Sequence, residues 1–246
     1  MPRFFVSSEN IKENTVYIYG DDAHHISRSL RMAQGERITV CDMHMNEYEC
    51  ELSHFGDGVV EASVISSKIC DTEPDIRVHL YQALPKGDKL DTIVQKAVEC
   101  GVSEITVFES ERCISKIKKE SSAKKTERLS KIAQEAAKQC GRGIIPKVNE
   151  PTTYEKAVIG ALGADIPIFC YEGADTRSLK EILTAYKAQK PVTVSVIIGS
   201  EGGFSQKEAS FARERGMILA GLGKRILRCE TAPTFVLGCL MYEFDL

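Results

Sequence analysis

At 246 residues, 43% hydrophobic and 27% charged with a formal net charge of −3, the chain can bury one large core or two smaller ones and has an ordinary globular composition. It has no run of eighteen apolar residues to span a bilayer, and its opening "MPRFFVSSENIKENT" lacks the basic-then-apolar leader of a secreted protein. Nine cysteines without a Cys-x-x-Cys pair leave zinc ribbons and thioredoxin-like chemistry unsupported, so free thiols, no metal and a cytoplasmic location are expected.

The first part of the chain reads as short strands. "RFFVS", "TVYIY", "ERITVCD", "NEYECELSHF" and "GVVEASVISS" are β-rich runs separated by turn residues. One helical piece interrupts them, "DDAHHISRSLRM", with Asp21 and Asp22 suited to its positive end. Five short strands so close together predict a small β-barrel over residues 1–72. "CDTEPDIR", with Pro74, reads as the linker to a second domain over 73–246.

From Val78 strands and helices alternate. "VHLYQAL" precedes a helix whose apolar stripe is Leu90, Ile93, Val94, Ala97 and Val98, and "EITVFES" precedes another striped by Leu129, Ile132, Ala133, Ala136, Ala137 and Cys140. "IPIFCYE", "VTVSVIIG" and "GMILAGLG" complete five strands, which predict an α/β domain with a mostly parallel sheet covered on both faces. Charge is uneven along this order. Residues 1–72 hold 6 Lys+Arg against 12 Asp+Glu, a balance of −6, whereas residues 111–147 carry 11 basic and 4 acidic residues, a balance of +7. Such an excess suits phosphate contact, and it suits a solvated helix face with a Lys-rich loop equally well.

Two glycine-bearing loops fall after late strands, where open α/β sheets bind ligands. "IIGSEGGFSQKE" runs into a helix whose start, Ser205-x-x-Glu208, is a capping box. Its glycines, at 199, 202 and 203, follow neither the phosphate-loop pattern ending in Gly-Lys-Ser/Thr nor the G-x-G-x-x-G dinucleotide fingerprint. By itself it is a tight strand-to-helix turn or a ligand loop. "LGKRILRCETAPTFVLGCLMYEF" then places apolar Leu222, Ile226 and Leu227 in a loop, with Thr231 as candidate N-cap and Pro233 in the first helical turn. Apolar loop side chains suit a pocket for a flat ligand such as adenine, or burial under the last helix.

These motifs together, "IGSEGGF", "LGKRILRCETAP", "LPKGDKLDTIVQKAVECGVSEI" with "SERC", and "ERLSKIAQEAAKQCGR", carry a resemblance. With "MPRFFV" and "HHISRSLRMAQGE" it extends over nearly the whole chain, which resembles the RsmE family of SPOUT-class methyltransferases. One departure is Ser200, where the family usually has Pro, at some expense of loop rigidity.

The resemblance implies a PUA-like RNA-binding barrel followed by a SPOUT α/β domain whose C-terminal part is tied in a trefoil knot. It implies S-adenosylmethionine as cofactor and N3 of one uridine in 16S ribosomal RNA, within the small ribosomal subunit, as methyl acceptor. Carried over residue by residue, the cofactor walls would be Tyr171, Glu172 and Gly173; Gly199, Glu201 and Gly202; and Leu222, Gly223, Ile226, Leu227 and Ala232. The N3 proton must leave, so a base or a cation is needed. Arg228 is the candidate cation, and Glu201 and Glu230 are candidate bases. RNA phosphates would meet Arg3, Arg28 and Arg31 in the barrel, and Lys86, Lys89, Arg112, Arg128 and Arg142 beyond it. The family is homodimeric. Other readings are a SPOUT enzyme acting on a transfer-RNA base or ribose 2′-hydroxyl, and a ribosome-assembly protein that has lost catalysis.

Overall fold

The computed structural model describes residues 1–117, 119–189 and 192–246, so Lys118 of the basic segment lies outside the described residues. The chain divides into two units, one formed by Met1–Glu73 with Ala137–Ile145 and the other by Pro74–Ala136 with Pro146–Leu246.

The first unit is built on a six-stranded sheet. Its strands are β1 (Arg3–Phe5), β2 (Ile11–Lys12), β3 (Thr15–Tyr19), β4 (Arg37–Cys41), β5 (Asn46–Phe55) and β6 (Val59–Ile69). They lie in the order β1-β4-β5-β6-β3-β2, antiparallel except for β1 beside β4. The ladder ends at β1 and β2; among the described residues no hydrogen-bonded pairing closes it into the expected barrel. Val16 and Ile18 of β3 point inward, as the alternation of "TVYIY" requires, onto Phe4, Ile26, Ile38 and Leu52. Each large apolar side chain buried here contributes about 1.5–3 kcal/mol.

The helical piece is shorter than its sequence suggests. Helix α1 (Gly20–His24) passes into a π turn over His25–Ser29, and Arg31 leaves with φ of 52°. The Ser27 hydroxyl donates to the Ala23 carbonyl at 2.8 Å, a back-bond that competes with the regular helical ladder.

Segment 137–145 is tied to this unit by polar contacts. Arg142, 4% exposed, donates to the Glu73 carboxylate at 2.5 Å through Nη2 and 3.2 Å through Nε. Glu73 also accepts the backbone N–H groups of Gly143 and Ile144. Lys138 lies 2.7 Å from Asp22.

The second unit has a seven-stranded, all-parallel sheet. In chain order its elements are β7 (Arg77–Ala83), α2 (Lys89–Glu99), β8 (Glu104–Glu109), α3 (Lys119–Cys140), β9 (Lys147–Thr153), α4 (Tyr154–Ala161), β10 (Ile166–Cys170), β11 (Arg177–Ser178), α5 (Leu179–Lys187), β12 (Thr193–Ile198), α6 (Gln206–Glu214), β13 (Ile218–Gly221) and α7 (Thr231–Phe244). The spatial order is β11-β13-β10-β12-β7-β8-β9. Strands β7, β8 and β12 are buried along nearly their whole length, as apolar runs covered on both faces must be.

Two strands lack a clear sequence signal. β9 reads "KVNEPTT"; it is an edge strand, with a register irregularity opposite Thr106 and Phe108, and only such a place tolerates Pro151. β11 is two residues long.

The apolar stripe of α2 is buried as expected, at Leu90, Ile93, Val94, Ala97 and Val98. No helix among the described residues is long and apolar enough to cross a membrane.

Candidate cofactor cavity and its charged rim

Strands β13, β10 and β12 are neighbours, and the chain leaves all three in the same direction. Their carboxyl ends therefore deliver three loops to one place. A cavity of about 260 Å³ opens there, walled by Tyr171 and Glu172 after β10, Gly199 to Glu201 after β12, and Leu222 to Leu227 after β13. Ala232 at the start of α7 completes it. Of the sequence-derived cofactor positions, Tyr171, Glu172, Gly199, Glu201, Leu222, Gly223, Ile226, Leu227 and Ala232 face this cavity. Gly173 and Gly202 do not line it; a Cβ at Gly202 would sit 2.9 Å from the Arg112 side chain. Thr176, Phe204, Lys224 and Arg225 also face it and were not among those positions. For Lys224 and Arg225 the available signal was two cations directly after the loop glycine.

The loop after β12 is shaped by packing at both ends. Phe204, 1% exposed, lies 4.3 Å from Phe169 of β10, ring to ring. Ser205 and Glu208 form the expected capping box at α6, with the Ser205 N–H donating to Glu208 at 2.9 Å. Ser205 donates in turn to Glu111 at 2.6 Å. Between these anchors Gly203 takes φ of 62° and donates to the Ser200 carbonyl at 3.0 Å, closing a tight turn. The hydroxyl of Ser200 is buried in the cavity wall without a partner among the described residues.

The loop after β13 enters α7 without a side-chain cap. Glu230, not Thr231, occupies the N-cap position, and Thr231 is the first helical residue. The reason is that the Arg228 carbonyl accepts from the N–H groups of both Thr231 and Ala232 at 2.9 Å, while the Glu230 side chain turns elsewhere. Arg228 itself is exposed, and Ile226 is 79% exposed on the cavity rim.

Glu201 and Glu230 meet at one cation. The Lys89 ammonium lies 2.9 Å from Glu201 Oε1 and 3.3 Å from Glu230 Oε2. The Lys86 N–H donates to both oxygens of Glu201, at 3.2 Å each. The Cys229 thiol donates to Glu230 Oε2 at 3.2 Å. Burial opposes the ionised form of Glu201, but the hydrogen bonds from Lys89 and the backbone outweigh it and hold its pKa below the ordinary 4.5. Glu230 is likewise held below 4.5, burial being outweighed by its backbone, Cys229 and Lys89. Burial, then the bond to Glu230, pushes the Cys229 thiol up to about 12. Both carboxylates are thus anions at neutral pH and weak bases.

The expected RNA contacts separate into two groups. Arg28, Arg31, Lys86 and Arg112 are exposed, although Arg112 also donates to the Gly202 carbonyl at 3.0 Å. The others are engaged within the protein. Arg3 donates to Glu47 at 2.7 Å and to Cys41 Sγ at 2.8 Å, Arg142 pairs with Glu73, Arg128 pairs with Asp91, and Lys89 holds the two glutamates. For Arg3 and Arg142 this corrects the expectation, because guanidiniums only 13% and 5% exposed and already held by carboxylates are not free for phosphates. Among the described residues no group of three or more His, Cys, Asp or Glu is placed to hold a metal.

A larger cavity of about 700 Å³ lies at the carboxyl ends of β8 and β9. Four carboxylates, Glu109, Glu111, Glu155 and Glu208, line it, and neither glycine loop reaches it.

Residues 72–241 match a family model described as an RNA methyltransferase domain, and residues 18–65 one described as an RNA methyltransferase PUA domain. The chain is 32% identical to ribosomal RNA small subunit methyltransferase E of Bacillus subtilis (strain 168), an alignment covering 100% of this chain and 98% of that protein. It is similar to a crystal structure of the same-named enzyme from Neisseria gonorrhoeae bound to S-adenosyl methionine, with TM-score 0.84, 29% identity, and 98% and 97% of the two chains covered. A Legionella pneumophila protein solved with bound SAM gives TM-score 0.87 at 29% identity, covering 98% of this chain and 96% of that one. The chain belongs to the ribosomal RNA small subunit methyltransferase E family.

Proposed function

We propose that the protein transfers a methyl group from S-adenosylmethionine to N3 of a uridine in 16S ribosomal RNA of the small subunit. The observation that carries this reading is the convergence of three strand ends and two glycine-bearing loops on one cavity. Its residues fit the cofactor. Bare backbone at Gly199 and Gly203 allows close approach, Leu222, Ile226 and Leu227 offer apolar faces to a planar base, and the unpartnered Ser200 hydroxyl offers a polar contact. When bound, the cofactor supplies an electrophilic methyl on a sulfonium.

The chain's own part is placement and charge. Arg228, exposed beside the cavity, is the group we assign to stabilise the uracil ring as its N3 proton departs, since a guanidinium keeps its charge throughout. Of the two candidate bases, Glu201 accepts from Lys89 and, through both oxygens, from the Lys86 N–H, whereas the Lys89 and Cys229 contacts to Glu230 both fall on Oε2. Glu230 is therefore the better placed to receive the proton. Positioning the acceptor in line contributes much of the acceleration in a displacement of this kind.

The reading extends to organisation. The first unit, which matches an RNA methyltransferase PUA domain, would hold RNA through Arg28 and Arg31, with Lys86 and Arg112 meeting phosphates on the second unit. The C-terminal part would carry the trefoil knot. Two copies would pair through surfaces that include α7, where Phe235 and Tyr242 are 42% and 75% exposed. The reaction would take place in the cytoplasm, where small subunits are made.

The test is methyl transfer from labelled S-adenosylmethionine to small subunits from a strain lacking the modification, followed by nucleoside analysis. A single new 3-methyluridine is expected. Label on another nucleoside, or on a ribose 2′-hydroxyl, would move the target, and absence of both label and cofactor binding would favour a binding-only protein.

A further inference from the structure

We propose that Lys89 is a positioning residue for methyl transfer, a clasp that fastens two of the three loops walling the cofactor cavity, those after β12 and β13, to each other and to the start of α2. The inference rests on the reading that this cavity takes S-adenosylmethionine. Basic residues near an RNA methyltransferase site suggest phosphate contact, and Lys89 was expected to make one. Its surroundings say otherwise.

Lys89 is the first residue of α2. Its ammonium reaches Glu201 in the loop after β12 at 2.9 Å and Glu230 at the end of the loop after β13 at 3.3 Å, with Cys229 Sγ at 4.0 Å. Among the described residues no backbone hydrogen bond runs directly between these two loops. The Lys86 N–H adds a second attachment of Glu201 to the same helix start. The side chains of Lys89, Glu201 and Glu230 are 34%, 33% and 24% exposed, so this is a half-buried pair of contacts and not a freely solvated one.

Removing the cation leaves two carboxylates facing each other with no charge between them. They repel, and the loops lose their common anchor. Because Gly199 and Gly203 sit in one loop, and Leu222, Ile226 and Leu227 in the other, a small separation enlarges the cavity that both must close upon a cofactor. A phosphate contact would act on RNA binding alone. A clasp acts on cofactor binding first.

The experiment compares wild type, Lys89→Met and Lys89→Arg. Amide hydrogen exchange on the free protein reads the loops directly. Exchange at 199–204 and 222–230 should rise in Lys89→Met and return toward wild type in Lys89→Arg, with other segments unmoved. Calorimetry should show S-adenosylmethionine binding about tenfold weaker in Lys89→Met, a change of about 1.4 kcal/mol. The KM for the cofactor should rise while that for small subunits stays near wild type. Wild-type exchange and cofactor affinity in Lys89→Met, with a raised KM for subunits alone, would overturn the clasp in favour of a phosphate contact. Failure of the wild type itself to bind the cofactor would overturn the functional reading, while the exchange result would still decide the clasp. Should Lys89→Met not fold, Glu230→Gln removes one arm of the clasp and is expected to raise exchange at 222–230; unchanged exchange there would sink the proposal.

Discussion

The side-chain amide of Gln82, at the end of β7, donates to the carbonyl of Gly199 at 3.2 Å, although 117 residues separate them. Gln82 is fully buried, and the same nitrogen also donates to the Ala83 carbonyl at 3.0 Å. A central strand thus sets the position of the first glycine in the cavity wall. Gln82→Leu keeps the volume but leaves that carbonyl without its partner, at a cost of about 1–2 kcal/mol. We expect a lower denaturation midpoint in urea and weaker cofactor binding by calorimetry. Wild-type affinity would show that the bond is structural only.

Gly203 makes a second prediction. A Cβ there would meet Glu172 Oε1, but that carboxylate ends an exposed side chain and can swing aside. The φ of 62° cannot be relieved so easily and costs about 1 kcal/mol for a residue with a Cβ. Gly203→Ala should therefore fold, lose about that much stability by urea titration, and bind S-adenosylmethionine more weakly because Glu172 leaves the cavity wall.

Arg228 is expected to act on turnover. Its exposed side chain supports neither loop through any described contact, and its carbonyl serves α7 whatever the side chain. Arg228→Ala should keep cofactor affinity and melting temperature near wild type and lose most methyl transfer to small subunits. Turnover close to wild type would remove the electrostatic role.

In the first unit, Arg142→Met leaves Glu73, 10% exposed, with the Gly143 and Ile144 N–H groups as its hydrogen-bond donors among the described residues. Breaking a buried pair in this way costs about 3–5 kcal/mol. Equilibrium unfolding should show the loss, and Arg142→Lys should recover only part of it, because an ammonium cannot reproduce the two-nitrogen contact.

Acid should weaken the β4–β5 turn. Asp42 accepts from the His44 N–H at 2.8 Å, the Asn46 N–H at 3.1 Å and Asn46 Nδ2 at 2.7 Å, around a turn in which Met43 and Met45 take positive φ. Burial raises its pKa, but these bonds outweigh burial and hold it below 3.8. A depressed folded-state pKa stabilises the fold above the ordinary carboxylate range, and that contribution disappears as pH falls through the folded value. Melting temperature should drop between roughly pH 5 and pH 2, and Asp42→Asn should flatten that slope. An unchanged slope would mean another carboxylate dominates.

Local features were legible because their causes are local. The apolar stripe of α2, the buried runs of β7, β8 and β12, and the Ser205–Glu208 capping box all depend on residues within a few positions of one another, and the structure has each of them. β9 was not legible, because Asn149, Glu150 and Pro151 contradict strand propensity and only an edge position reconciles them.

The charged residues divide along the same line. From sequence, Arg3, Lys89, Arg128 and Arg142 are indistinguishable from Arg28 or Arg31, since all are cations in motif-bearing segments. Tertiary structure alone sets the first four against Glu47, Glu201 with Glu230, Asp91 and Glu73, partners at least 37 residues away along the chain. The sequence by itself determined most of the helices and strands and the two glycine-bearing loops that follow late strands, since side-chain periodicity and capping act through neighbours along the chain. Which strands lie side by side, which charges are neutralised and which loops share one cavity were decided only by folding, since those depend on distances in space that no local pattern encodes.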